Sequence, residues 1–141
     1  MKKLLLIAIF AISCGLTAQN LGNELAVAMK NGDIATAKTY ITETSVNECH
    51  QLGHKDVSMM VFILSMDNME LLKYAVEEKD ADVNIVCGKY TPLTWAAKNG
   101  SAETVSYLLE QGADKSIAVK NKTAMDWAQY YKRTDIISLL N

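Results

Sequence analysis

The amino-acid sequence predicts an all-α solenoid of about four helix-turn-helix repeats joined by β-turn fingers. The first observation is an internal period: the segment that begins at Thr91 returns 32 residues later at Thr123, with a tryptophan four positions after each threonine. The second observation is that residues that start and end a helix occur at defined positions in this segment. The single proline, Pro92, directly follows Thr91, and an alanine-rich segment then ends at Gly100. A period of this length is typical of stacked repeats, which we expect to form one domain over residues 19–141.

The repeat can be followed in both directions from this clearest copy. Tyr74 precedes Tyr107 by 33 residues, and residues 30–32 repeat the Lys-Asn-Gly of residues 98–100 in a weaker first copy. We therefore place the repeats at about residues 22–50, 51–87, 88–119 and 120–141. The first helix of each repeat is expected near Asn23–Asn31, Ser58–Ser65, Thr91–Asn99 and Thr123–Tyr130.

Local chemistry explains where the helices of the third repeat begin and end. The hydroxyl of Thr91 can cap a helix. Pro92 then occupies the first helical position, where its missing N–H costs nothing and its fixed φ is favourable. Gly100 suits the left-handed turn that ends a helix. The second helix, about Ala102 to Gln111, places apolar side chains at helical spacing toward the core: Val105, Leu108 and Leu109.

The N-terminal residues 1–18 have the features of a bacterial secretory signal peptide. Lys2 and Lys3 form a charged region, Leu4–Ile12 is an apolar run too short to span a bilayer, and small residues lead to Ala18. Cleavage after Ala18 predicts an exported protein, periplasmic or secreted. Two alternatives stay open, namely lipoprotein processing at Cys14 and a buried first helix.

Composition and motifs argue against several functional classes. The formal net charge is −2 and becomes −4 without the two lysines of the signal peptide, so the chain has no overall attraction for nucleic acid. No later stretch is apolar enough to predict a membrane span. Glycine-rich phosphate loops and the G-x-S-x-G nucleophile motif are absent from the sequence. We therefore expect no catalytic residues, no cofactor and no bound metal.

The third copy resembles the ankyrin repeat family. It reads T-P-L-x-x-A-A-x-x-G over residues 91–100, and its second helix ends in L-L-E-x-G-A-D at residues 108–114. The resemblance covers nearly all of residues 19–141, although Met59 and Ala124 replace the proline in neighbouring copies. Tetratricopeptide repeats, with a period of about 34 residues, lack both motifs. The resemblance implies a module that binds a partner protein on a concave face made of finger tips and first helices.

Alignment to the family maps eight residues onto that concave face: Lys30, Met66, Tyr90, Lys98, Asn99, Lys122, Tyr130 and Tyr131. None is acidic, and most acids fall elsewhere, many of them on second helices or the loops after them, such as Glu70, Glu77, Glu78, Glu103, Glu110 and Asp135. A basic face that carries tyrosines predicts a partner protein with an acidic surface, which the module could inhibit or protect. The alternative is that these are ordinary solvated positions.

Two cysteines, Cys49 and Cys87, fall in successive fingers. Equivalent positions of stacked repeats lie about 10 Å apart, beyond the reach of a disulfide. The finger after Cys49 is longer, however, and this irregularity could bring the two thiols together, so we hypothesise a disulfide. The alternative function is a periplasmic redox or stress-protection protein that uses these cysteines or a metal bound near Cys-His-Gln-Leu-Gly-His, residues 49–54. The simpler interpretation of that segment is a solvated loop.

Overall fold

A computed structural model describes residues 18–52 and 54–141. The predicted signal peptide and Cys14 lie outside the described residues, except for Ala18. The helices form four antiparallel pairs, and the predicted all-α solenoid is confirmed. In chain order the pairs are α1 (Ala18–Lys30) with α2 (Ile34–Tyr40), α3 (Met59–Ser65) with α4 (Met69–Lys73), α5 (Pro92–Asn99) with α6 (Ala102–Glu110), and α7 (Ala124–Tyr130) with α8 (Thr134–Leu140). A π-helical turn, Tyr74–Glu78, extends α4, and a 3₁₀ turn spans Ser45–Asn47.

Neighbouring pairs stack mainly through like helices, whereas α1 packs against the first strand of the finger that follows it, Cys49–Leu52. Helix α5 packs against α3 on one side and α7 on the other, while α2 packs on α4 and α6 on α8. Small side chains at this seam, Ala96, Ala97 and Ala128, are fully buried and let the backbones approach closely. Larger apolar side chains fill a continuous core from the first pair to the last: Leu25, Ile63, Leu72, Leu93, Leu108 and Ile136.

Polar caps begin the helices where the sequence predicts. Thr91 precedes α5, and its hydroxyl accepts the backbone N–H of Thr94 at 3.1 Å. The backbone N–H of Thr91 in turn donates to the Thr94 hydroxyl at 2.8 Å, which completes a capping box. At the other end of α5, Gly100 adopts a left-handed conformation with φ of 84°.

Replacement of Thr91 by alanine should lower the free energy of unfolding by about 1 kcal/mol, because the first turn of α5 loses its side-chain acceptor. Chemical denaturation in urea measures this loss. Thr36→Ala is the control, since Thr36 is an exposed residue inside α2 and should change stability by less than about 0.5 kcal/mol. Equal losses of unfolding free energy in the two variants would show that the Thr91 side chain does not stabilise α5 as a cap.

The first finger is a β-hairpin, whereas the next two fingers are tight turns. Strands β1 (Cys49–Leu52) and β2 (Lys55–Ser58) pair antiparallel. The later fingers each contain one bridge, Cys87 with Tyr90 and Val119 with Lys122. The interpretation of residues 49–54 as a solvated loop is therefore wrong about the loop, since residues 49–52 form β1, although Cys49, Gln51 and His54 are exposed. His50 is only 5% exposed, and its Nε2–H donates to the Ser45 carbonyl at 2.7 Å because a carbonyl can only accept.

A disulfide joins Cys49 of the hairpin to Cys87 of the second finger. Their Cα atoms are 5.7 Å apart, well inside the usual range for disulfides and much closer than regular stacking predicts. The cause is the longer first finger, which folds over toward the second. Gly88 makes this approach possible, because its φ is +62° and a Cβ at this position would collide with the carbonyl of Asp56 on β2.

Candidate functional site

First helices and fingers together form one side of the stack, which we call the finger-side face. On it, the last two repeats bring together an aromatic–lysine cluster made of Tyr90, Lys98, Lys122, Trp127, Tyr130 and Tyr131. Tyr90 and Lys122 end the fingers that precede α5 and α7. On α7, Tyr130 follows Trp127 by three residues, and Tyr131 is the next residue, so the three side chains lie on neighbouring turns.

Trp127 is the centre of the aromatic contacts. Its ring centroid is 5.8 Å from that of Tyr90, 6.5 Å from that of Tyr130 and 6.1 Å from that of Tyr131. Tyr131 stacks on the indole, whereas Tyr130 meets it edge-on, and the two tyrosines meet each other edge-on at 5.0 Å. Offset-stacked and edge-to-face contacts of this kind each contribute about 0.5–1.5 kcal/mol beyond area burial. The rings therefore hold one another in place.

Both lysines lie over aromatic rings of the cluster. Lys98 Nζ is 4.9 Å from the Tyr90 ring centroid and 5.3 Å from that of Trp127, and it donates to the Tyr90 hydroxyl at 2.6 Å. Lys122 Nζ is 4.8 Å from the ring centroids of both Trp127 and Tyr130. A cation over a ring face is attracted by about 0.5–1 kcal/mol at exposed sites. These contacts restrain two side chains that would otherwise be mobile.

The cluster is partly open to solvent. Tyr130 is 67% exposed and Tyr131 is 41% exposed, whereas Tyr90, Trp127 and the two lysines are half-buried. The indole N–H of Trp127 is buried and has no hydrogen-bond partner among the described residues. The site thus combines exposed aromatic area, two ammonium groups and one unpaired donor.

The structure brings together five of the eight residues that the sequence assigned to the concave face, namely the three tyrosines and the two lysines of the cluster. Lys30 lies exposed at the end of α1, in the first repeat. Met66 follows α3, with a side chain that is 37% exposed. Asn99 donates to the Trp95 carbonyl at 2.8 Å and lines an open cleft of about 410 Å³ between the ends of α3 and α5. These three residues do not join the cluster.

None of the eight mapped residues is acidic, but two acidic residues lie close to them. Asp67 lines the same cleft as Asn99. Asp126 lies close to the cluster, and its carboxylate accepts the backbone N–H of Thr123 at 2.7 Å and the Thr123 hydroxyl at 2.8 Å. These hydrogen bonds, with a smaller contribution from the charge of Lys122, lower the pKa of Asp126. The basic character therefore belongs to the cluster and not to the whole face.

Sequence reasoning missed Trp127 as a site residue, because a tryptophan recurs at this position of the repeat and suggests a packing role. One signal in the sequence points to it. Tyrosines follow it at three and four positions, where they share its helix surface. Its contacts with Tyr90 and Lys98 link adjacent repeats. The sequence of a single repeat does not predict such contacts.

The described residues bear on two other possibilities, a metal site and a membrane-spanning helix. Within them, no group of three or more His, Cys, Asp or Glu side chains is placed to hold a metal ion. No helix in residues 18–52 and 54–141 combines the length and apolar character needed to cross a bilayer. The aromatic–lysine cluster is the candidate functional site because it combines exposed aromatic area with two ammonium groups.

Comparison with known proteins agrees with the repeats seen in the structure. The family model of ankyrin repeats in three copies matches residues 25–119 and 59–141. Palmitoyltransferase AKR1 of Lachancea kluyveri is 35% identical over 94 residues, which cover 64% of this chain and 13% of that protein. The NAD-capped RNA hydrolase NUDT12 of Homo sapiens and that of Macaca fascicularis are each 44% identical over 52 residues, 36% of this chain and 11% of theirs. The chain thus spans a small part of these relatives.

Proposed function

Because the chain belongs to the ankyrin-repeat family, whose repeats mediate protein–protein interaction, we propose that it is an exported module that holds a partner protein on its finger-side face. The module carries out no reaction of its own. By covering its partner, it inhibits or protects that protein, for example a periplasmic enzyme or an antagonistic toxin. Export rests on the signal-peptide features of residues 1–18.

The observation that carries this proposal is the aromatic–lysine cluster. Aromatic side chains that are rigid and exposed are favoured as anchors at protein interfaces, where a few residues supply most of the binding energy. Tyr130 and Tyr131 are exposed but held by their contacts with Trp127, so little conformational entropy is lost when a partner covers them. An ordinary solvated position is not braced in this way.

The charge distribution supports a partner with an acidic surface. Lys98 and Lys122 give the cluster its positive charge. Exposed acids lie on the opposite side, along second helices and the π-helical turn: Glu70, Glu77, Glu78, Glu103 and Glu110. Lys38, Lys73 and Lys79 lie among these acids, and Lys38 pairs with Glu70 at 2.8 Å, so the attraction for an acidic surface comes from the two lysines of the cluster itself.

The redox alternative requires a cysteine that an oxidant or a thiol can reach. Cys49 is exposed but Cys87 is only 2% exposed, and the disulfide between them ties two fingers together, which favours a structural role. A metal-dependent form of this alternative has no support in the geometry, since His50 is buried and hydrogen-bonded to a backbone carbonyl. A reactive free thiol in the native protein would favour the alternative.

The double change Tyr130→Ala and Tyr131→Ala tests the proposed function. Capture of the partner on the immobilised chain should weaken by about 2 kcal/mol or more, roughly 30-fold in affinity, because the exposed anchors are lost. Glu103→Ala with Glu110→Ala is the matched control on α6 and should leave capture unchanged.

Thermal unfolding of the same variants separates binding from folding. We expect the tyrosine variant to keep most of its stability, since neither residue is buried. If its stability falls more than its capture of the partner does, the two tyrosines serve to pack the last repeat, and the proposal is wrong.

A further inference from the structure

The ring faces of the aromatic–lysine cluster are already occupied by cations of the chain itself. Four aromatic side chains grouped around a centre commonly accept a cation from a ligand, such as arginine or a quaternary ammonium group. Here Lys122 lies over two of the rings, and Lys98 lies over Trp127 while it donates to the hydroxyl at the edge of Tyr90. A cationic ligand would have to displace tethered lysines and approach their charges. The cluster is therefore unsuited to basic partners despite its aromatic character.

The cluster has several free hydrogen-bond donors and few groups that can accept a hydrogen bond from them. Lys98 Nζ donates to the Tyr90 hydroxyl and has two protons left, whereas Lys122 Nζ has no hydrogen bond to any described residue. The buried indole N–H of Trp127 is also unpaired among the described residues. A buried donor without a partner costs about 1–3 kcal/mol, so a ligand that supplies acceptor oxygens gains free energy here. Carboxylates supply such oxygens and also match the charge.

The carboxylate of Asp126, which interacts with the charge of Lys122, does not fill this role. Asp126 already accepts two hydrogen bonds from Thr123 at the start of α7, and it stays engaged there. Beside the lysines, the exposed edges of Tyr130 and Tyr131 provide apolar area. Positively charged groups and apolar surface therefore lie side by side in the cluster.

From these contacts we propose that the cluster recognises a segment of a partner protein in which acidic side chains flank an apolar one. The carboxylates pair with Lys98 and Lys122, and the apolar side chain packs on Tyr130 and Tyr131. Binding draws the lysine ammonium groups outward from the ring faces, which lets an acceptor of the ligand reach the indole N–H of Trp127. This inference rests on the proposed function, because it assigns the chemistry of the partner to the same site.

Tryptophan fluorescence measures the charge around Trp127 without any partner. In Trp95→Phe, Trp127 is the remaining tryptophan of the chain. Relative to free N-acetyltryptophanamide, iodide should gain at least about twofold in quenching efficiency over caesium, because two ammonium groups attract the anion. The further change Lys98→Gln with Lys122→Gln should remove this difference, whereas the matching pair of arginine substitutions should keep it. An iodide-to-caesium quenching ratio in the Trp95→Phe protein equal to that of N-acetyltryptophanamide would overturn the proposal.

A peptide assay then tests recognition. The probes are a synthetic peptide of repeated Glu-Glu-Leu, its Lys-Lys-Leu counterpart and a single-stranded thymidine oligonucleotide. The acidic peptide should bind the full chain at least about tenfold more tightly than the basic peptide, and Lys98→Gln with Lys122→Gln should remove that preference. Circular dichroism of the variant verifies that the fold is intact.

The outcomes of this assay distinguish the inference from the proposed function. If the acidic peptide does not bind, or if the oligonucleotide binds more tightly, the inference is wrong. Tyrosine-dependent capture of a partner protein would in that case still support the proposed function. Binding of the acidic peptide without tyrosine-dependent capture of any protein would instead support a carboxylate site on a chain whose proposed function is wrong.

Discussion

Loss of the Cys49–Cys87 disulfide should lower the free energy of unfolding by about 4 kcal/mol. The bond closes a loop with a sequence separation of 38 residues, and the chain-entropy relation gives a loss of this size when such a loop is opened in the unfolded state. A second effect acts on the folded state. The bond holds the β1–β2 hairpin against the second finger, so its loss should loosen the first repeat more than the last.

The variant Cys49→Ser with Cys87→Ser, made together with Cys14→Ser, measures the loss by urea denaturation. Cys14→Ser alone is the control and should retain full stability. Hydrogen exchange should show faster opening of β1 and β2 in the triple variant and little change in α7. In unreduced, denatured Cys14→Ser protein, thiol titration should find no free thiol, and two free thiols would show that the bridge does not form.

Leu108→Ala should cost about 3 kcal/mol or more of stability. Leu108 is fully buried in α6, in the core shared with neighbouring helices, and removal of its side chain leaves a cavity that the surroundings fill only in part. Leu139→Ala makes the same chemical change on α8, where the side chain is 38% exposed, and should cost less than about 1 kcal/mol. Urea denaturation of both variants measures the difference. Similar losses would mean that the core does not lie where the stacked helices place it.

The sequence predicted the regular part of the fold because the signals of the third repeat are local. Thr91 and Pro92 start α5 and Gly100 ends it, and each acts through backbone chemistry within one or two residues. The period then transfers these positions to the neighbouring repeats. Helix α3, for example, begins directly after Ser58, which caps it as the alignment indicates.

The irregular first finger could not be predicted in the same way. Its length was visible in the sequence, but residues 49–58 do not alternate between polar and apolar types, so nothing predicted strands. The burial of His50 depends on the Ser45 carbonyl, which the 3₁₀ turn places beneath it. Contacts of this kind arise from packing between segments and have no local pattern.

The sequence predicted most residues of the candidate site but not how they contact one another. Family alignment identified the three tyrosines and two lysines as surface residues, yet it could not show that Trp127 joins them. The indole lies between two repeats and contacts side chains from both. The family alignment also left out Asp67, which occupies the repeat position of Gly100 and lines the cleft between α3 and α5 with it.

Site-specific photocrosslinking tests the central claim, that a partner protein occupies the finger-side face, most directly. A photoreactive phenylalanine analogue replaces Tyr130 on α7 in one protein and Glu103 on α6 in another, within the cells that produce the chain. The account predicts a covalent adduct with one partner protein from position 130 and none from position 103. An adduct from position 103 alone, or equal adducts from both positions, would contradict it.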